Sequence, residues 1–184
     1  MRKLSVLCLV FFLLLSGCTN ARKEEKESIK NYESFIEAVL NNKGIESKSI
    51  PFDYKLNVFK QKDGSYQYEV VLSNPRIAMY SIQAIAVDPS LDSNKNLFPC
   101  IGLLGDDANT SYNMIPFQAN GQIHFVKKIG LDGISKKDPF TLQVMVTWKD
   151  SSLVTSNRVF FNANYVEEEG DTGTGEKKTA DTNN

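Results

Sequence analysis

From Phe140 to Lys149 an apolar residue stands at every second position: Phe140, Leu142, Val144, Val146 and Trp148 alternate with Thr141, Gln143, Met145, Thr147 and Lys149, all polar but Met145. A period of two places the first set on one face of a strand and cannot line one face of a helix. The same period appears earlier. Tyr54, Leu56 and Val58 alternate with Lys55 and Asn57, and Tyr66, Tyr68, Val70 and Leu72 with Gln67 and Glu69. Lys62-Asp63-Gly64-Ser65 between them is a hairpin signal. Asn74-Pro75 ends the second run, because proline donates no ladder hydrogen bond. Ile77 to Val87 reads as a long apolar strand. Its phase slips near Tyr80-Ser81, where Ile77 and Met79 stand on odd positions and Ile82, Ala84 and Ala86 on even ones, so a bulge or sheet switch is expected.

Further along, Leu97 to Leu104 reads as a short strand or a loop tucked on the core. Tyr112–Phe117 and Gln122–Ile129 read as a hairpin across Asn120-Gly121, and Leu131 to Pro139 as a connecting loop. A last strand runs from Leu153 to Tyr165. Short strands with turn signals at even spacing predict a mainly β domain over 51–165, folded as an antiparallel β-sandwich or barrel. In strand rhythm this resembles immunoglobulin-like modules, without the Cys–Trp–Cys arrangement of antibody domains. The resemblance implies an immunoglobulin-like β-sandwich.

One helix is expected before the strands, over 28–44. Ile29, Tyr32, Phe35, Ile36, Val39 and Leu40 recur at steps of three and four, which gathers them on one face. Gly44 suits the left-handed residue that ends a helix. This stripe either packs on the following domain or docks a partner or the membrane. Residues 18–27 read as a charged tether, and 166–184 as a disordered acidic tail with too few apolar residues to repay ordering.

The first eighteen residues carry a different signal. Arg2 and Lys3 precede an apolar run from Leu4 to Leu15, and Leu15-Ser16-Gly17-Cys18 closes it. The run is shorter than the roughly 20 residues of a stable span and fits a signal-peptide core. Leu15-Ser16-Gly17-Cys18 resembles the lipobox of bacterial lipoproteins. The resemblance implies a diacylglyceryl thioether on Cys18, cleavage between Gly17 and Cys18 (removing 1–17), and a lipid anchor on the extracytoplasmic face of the cell membrane. Two or more acyl chains hold a protein firmly, at about 0.8 kcal/mol per buried CH₂.

The whole chain has a formal charge of −1, and loss of Arg2 and Lys3 leaves the remainder more acidic by two charges. No basic face for nucleic acid is expected. Of the cysteines, Cys8 leaves with the signal, Cys18 is committed to lipid, and Cys100 sits in an apolar setting that suits a buried, inert thiol. His124 is the only histidine and reads as a surface strand residue; no Gly-x-Ser-x-Gly turn accompanies it. One histidine and one spare cysteine cannot build a usual zinc site. Asp88, Ser90, Asp92, Asn94 and Asn96 repeat every second residue as calcium ligands can, but Ser93 and Pro99 break the EF-hand pattern. Asp106-Asp107 reads as a turn. Most of the tyrosines and Trp148 keep the phase of the core.

These features predict no enzyme, no cofactor and no metal. They predict a non-enzymatic envelope lipoprotein that reaches the membrane through its lipid anchor and binds a protein or envelope polymer. The alternative is an accessory or substrate-capturing lipoprotein of a transport or secretion complex.

Overall fold

A computed structural model describes residues 2–120, 124–167 and 178–180; for 2–21, 106, 109 and 178–180 it describes the main chain alone. Helix α1 (Arg2–Asn42) precedes strands β1 (Asp53–Lys60), β2 (Tyr66–Ser73), β3 (Met79–Val87), β4 (Cys100–Ile101), β5 (Tyr112–Met114), β6 (Lys128–Ser135), β7 (Phe140–Lys149), β8 (Ser156–Tyr165) and β9 (Lys178–Ala180). The strands form two antiparallel sheets, β6-β2-β1-β9 and β4-β3-β7-β8, with β5 also paired to β3. With β1, β2 and β6 as A, B and E, and β4, β3, β7 and β8 as C′, C, F and G, this is the immunoglobulin-like sandwich order.

The alternation read from the sequence decides which face each strand buries. Val70, Leu142, Val144 and Val146 are wholly buried between the sheets. Phe52 meets Trp148 and Phe161 edge-on at centroid distances of 6.4 and 6.2 Å, and Tyr54 stacks on Phe161 at 4.0 Å. Offset and edge contacts of this kind add to simple burial. Gly64 (φ +83°) makes the β1–β2 turn, with the Asp63 carboxylate accepting from the Ser65 N–H at 3.0 Å.

β3 carries apolar side chains on both faces and Met145 adds one to the outer face of β7, so the facing sheet alone cannot cover them. Ala84, Ala86, Val144 and Val146 face the sandwich core; Ile85, Val87 and Met145 face outward. The helix covers that outer face. Tyr32, Phe35, Ile36 and Val39 are buried against Ile85, Val87, Met145, Phe98 and Leu103. The partner-docking reading of the stripe is therefore corrected for these four residues: the chain's own sheet occupies them. Leu40 is partly buried against the same cluster, and Ile29 is left 44% exposed.

Several other expectations are corrected. The helix does not begin at Ser28; its main chain is continuous from Arg2, through Gly17, Cys18 and the segment read as a tether. Arg22-Lys23-Glu24-Glu25-Lys26-Glu27 is made of good helix formers, and Lys23 lies 4.0 Å from Glu27 at the favourable four-residue spacing. Lys128–Ser135 is a strand where a connecting loop was expected from Leu131; Ile129, Leu131 and Ser135 point inward. Within the segment read as a disordered tail, Lys178–Ala180 pairs with Leu56–Val58 and covers the edge of β1, an edge that would otherwise present unpaired groups. Residues 168–177 and 181–184 lie outside the described residues, as does Gly121 of the expected hairpin. What is described there is shorter: β5 spans only Tyr112–Met114, and Asn120 and Phe125 exchange main-chain hydrogen bonds at 2.6 and 3.0 Å. The slip near Tyr80-Ser81 is a bulge: Tyr80 and Gln83 oppose Lys149 and Thr147, and Ser81 takes φ +48°.

Candidate functional site

Because all the strands are antiparallel, the β2–β3, β5–β6 and β7–β8 connections emerge at the same end of the sandwich, here called the loop pole. Each connection is locked by polar contacts. In the first, Arg76 donates to Asp53 Oδ1 at 2.6 Å and to the carbonyls of Ile50 and Phe52 at 2.6 and 3.1 Å, while Asn74 donates to Asp53 Oδ2 at 3.0 Å. Those contacts hold the Asp53 carboxyl below its ordinary value, Asn74 contributing most and Arg76 next.

In the second connection Asn113 is the pin. Its side-chain oxygen accepts from the Ser81 N–H at 3.0 Å, its N–H donates to the His124 carbonyl at 2.8 Å, and its carbonyl accepts from the Val126 N–H at 2.9 Å. In the third, the Asp150 carboxylate accepts from Ser152 N–H and Oγ at 3.1 and 2.5 Å, and Leu153 N–H donates to the Asp150 carbonyl.

These rigid turns push apolar side chains outward. Phe117 is fully exposed, Val154 is 82% exposed, and Leu153 and Ile77 are about half exposed. Phe117 and Leu153 sit at φ +61° and +60°. For bulky residues the left-handed region is uncommon and costs about 1–3 kcal/mol. The two residues stand at the tips of two loops on one pole. Between the first two loops lies an open cleft of about 750 Å³, lined by Asn74, Arg76, Ile115, Phe117, Val126 and Lys127.

The residues singled out from the sequence lie elsewhere or are otherwise engaged. Gly17 and Cys18 lie in the helical main chain of α1. Cys100 is half-buried, and burial, with a smaller push from the Asp107 charge, raises its thiol to about 11. His124 is an exposed turn residue at φ +57°, edge-on to Tyr112 at 5.6 Å. Asp107 accepts the Tyr112 hydroxyl at 2.8 Å; the Asp106 side chain lies outside the described residues. In the 88–96 loop, Asp88 is buried and its Oδ1 accepts from Ser90 N–H and Oγ, while Asp92 accepts from Asn94 N–H and pairs with Lys95 at 3.1 Å. Both carboxylates serve their own turns. Among the described residues no group of three or more His, Cys, Asp or Glu side chains could hold a metal ion, and no helix is long and apolar enough to cross a membrane.

Sequence reasoning missed the loop pole. A signal was available in one of its loops: Leu153-Val154 is an apolar pair inside an otherwise polar turn from Asp150 to Ser156. Phe117 carried none, because its exposure depends on how Asn113 pins the loop.

No protein-family model matches this chain, and neither a curated protein nor a solved structure does.

Proposed function

We propose that this chain is a membrane-anchored bacterial envelope lipoprotein whose β-sandwich is a non-enzymatic interaction module on the extracytoplasmic face. One observation carries the reading: Arg2-Lys3, the apolar run from Leu4 to Leu15, and Leu15-Ser16-Gly17-Cys18 stand in the order and spacing of a lipoprotein signal. Cys18 carries the lipid, and the sandwich stands outside it on the helix. The loop pole is its contact surface, with preset apolar tips around a cleft.

The chemistry of the body agrees with a binding role. A thiol raised to about 11 is a poor nucleophile at neutral pH. The one histidine packs edge-on against the Tyr112 ring, and the loop carboxylates of Asp88 and Asp92 are spent on turns.

A second reading, an accessory or substrate-capturing subunit of a transport or secretion complex, draws on a different surface. On the outer face of the β6-β2-β1 sheet, Phe59, Gln67 and Ile134 are cross-strand neighbours, and Phe59 and Ile134 are 42% and 63% exposed.

The anchoring is tested by feeding cells an alkyne fatty acid and comparing the wild type with Cys18→Ala. Label and membrane retention are expected in the wild type and lost in Cys18→Ala. A Cys18→Ala protein that keeps both overturns the proposal.

A further inference from the structure

We infer that the loop pole is a second membrane contact, which seats Ile77, Phe117, Leu153 and Val154 in the interface of a bilayer carrying anionic lipid. This rests on the anchoring proposed above and names what the contact surface meets.

The first argument is the pairing of apolar tips with positive charge. Arg76, Lys127, Lys128 and Lys149 are exposed and lie in or at the ends of the strands and loops that form the pole. Two acids stand against these four cations: Asp53, which is paired with Arg76, and Asp150, which holds its own turn. Among the described residues, Lys127, Lys128 and Lys149 make no ion pair. The pole is thus basic in a chain that is acidic as a whole. Protruding apolar side chains ringed by lysines complement a headgroup layer, where the tips enter the acyl boundary and the ammonium groups meet lipid phosphates. Single side chains that project outward fit an interface with no fixed shape better than the shaped pocket of a protein hot spot.

The second argument is the direction of the anchor. The C-terminal part of α1 (Ile36 to Asn41) borders the loop at 93–97, and Gly44 lies against Gln143 and Asn162. Both places are at the end of the sandwich opposite the loop pole. The N-terminal part of the described side chains, Glu24 to Asn31, borders Gly102–Ala108, and Gly102 sits against Ile82 and Gln83 midway along β3, nearer the loop pole than Gln143 and the 93–97 loop. The helix therefore runs along the outer sheet with its N-terminal half toward the loop pole. Six further residues, from Lys23 back to Cys18, are helical and cover about 9 Å. The helix direction therefore puts an anchor at Cys18 on the same side of the body as the loop pole.

The test uses the full chain, purified from membranes and reconstituted on vesicles, with Phe117→Trp. The only native tryptophan, Trp148, is buried, so the new indole reports the pole. On vesicles of phosphatidylcholine mixed with phosphatidylglycerol, the Phe117→Trp emission should shift to the blue. Brominated acyl chains should quench it about twofold, as expected for a side chain at the acyl boundary. Quenching should fall toward zero in pure phosphatidylcholine, in high salt, and in a variant that also carries Lys127→Glu and Lys149→Glu. Protein that floats with the vesicles while its indole stays unquenched overturns the inference and leaves the anchoring intact. Equal quenching in neutral and anionic vesicles overturns the anionic assignment. An indole shielded only when a protein or envelope polymer is added gives the pole to that partner and overturns it as well. The mass of the N-terminal peptide reads the anchor separately: quenching in unacylated protein upholds the pole and sinks the anchor.

Discussion

The Tyr32 hydroxyl on α1 accepts a hydrogen bond from the Phe98 N–H at 2.7 Å, and this contact ties the helix to the segment between β3 and β4. Both residues are buried, so the N–H has no easy recourse to water. Tyr32→Phe keeps the ring and orphans that donor. A loss of about 1–3 kcal/mol is expected, read as a lower urea midpoint with an unchanged slope. An unchanged midpoint would mean that the helix is held by its apolar face alone.

Gly133 lies directly across from Tyr68 on the paired strands β6 and β2. A Cβ there would run into the Tyr68 ring and hydroxyl, and Tyr68 is itself buried. Gly133→Ala should cost about 1–3 kcal/mol through overpacking. Gly130→Ala is the control: its Cβ would meet the end of the Glu69 side chain at 3.0 Å, a flexible group that can move aside. Thermal unfolding of the two variants should separate them clearly.

The same glycines explain what the sequence hid. Lys128–Ser135 has the alternation of a strand in Ile129, Leu131 and Ser135, but Gly130, Asp132 and Gly133 give it the composition of a loop. The tyrosine that fills the space over Gly133 comes from another strand. Where a signal was local, it was legible. The odd-to-even slip at Tyr80-Ser81 is the bulge, and the steps of three and four from Ile29 to Leu40 are the helix face on the outer sheet. The loop pole was not legible, because Arg76, Phe117 and Leu153 are brought to one end only by the order of strands in two sheets. The sandwich topology also explains why Ile77–Val87 reads as a long apolar strand: Ala84 and Ala86 of β3 face the sandwich core, and Ile85 and Val87 lie under the helix.

Asp53 gives the loop pole an acid-sensitive element. Its carboxyl is lowered by Asn74 and Arg76, so the folded state favours the ionised form. The stabilisation is present above the ordinary carboxylate range and is lost as pH falls through the lowered value. The Asp53 and Arg76 side chains are 35% and 57% exposed, which limits the effect to about 1 kcal/mol or less. Asp53→Asn should be slightly less stable than the wild type at neutral pH. The gap should close as pH drops below about 4. A gap that widens on acidification would reverse the assignment.

Cys100 should resist alkylation. With its thiol raised to about 11, iodoacetamide should modify it slowly at neutral pH in the folded protein, and much faster after denaturation or as pH approaches that value. Peptide mapping over time measures this. Rapid labelling of the folded protein at neutral pH would reveal an activating neighbour and reopen a chemical role for this thiol.

The membrane anchor is tested most directly by the mass of the N-terminal peptide from protein extracted out of cell membranes. The result expected is a chain that begins at Cys18, with a diacylglyceryl group on its sulfur. A peptide that still begins at Met1, or an unmodified Cys18 in protein recovered from the soluble fraction, would contradict it.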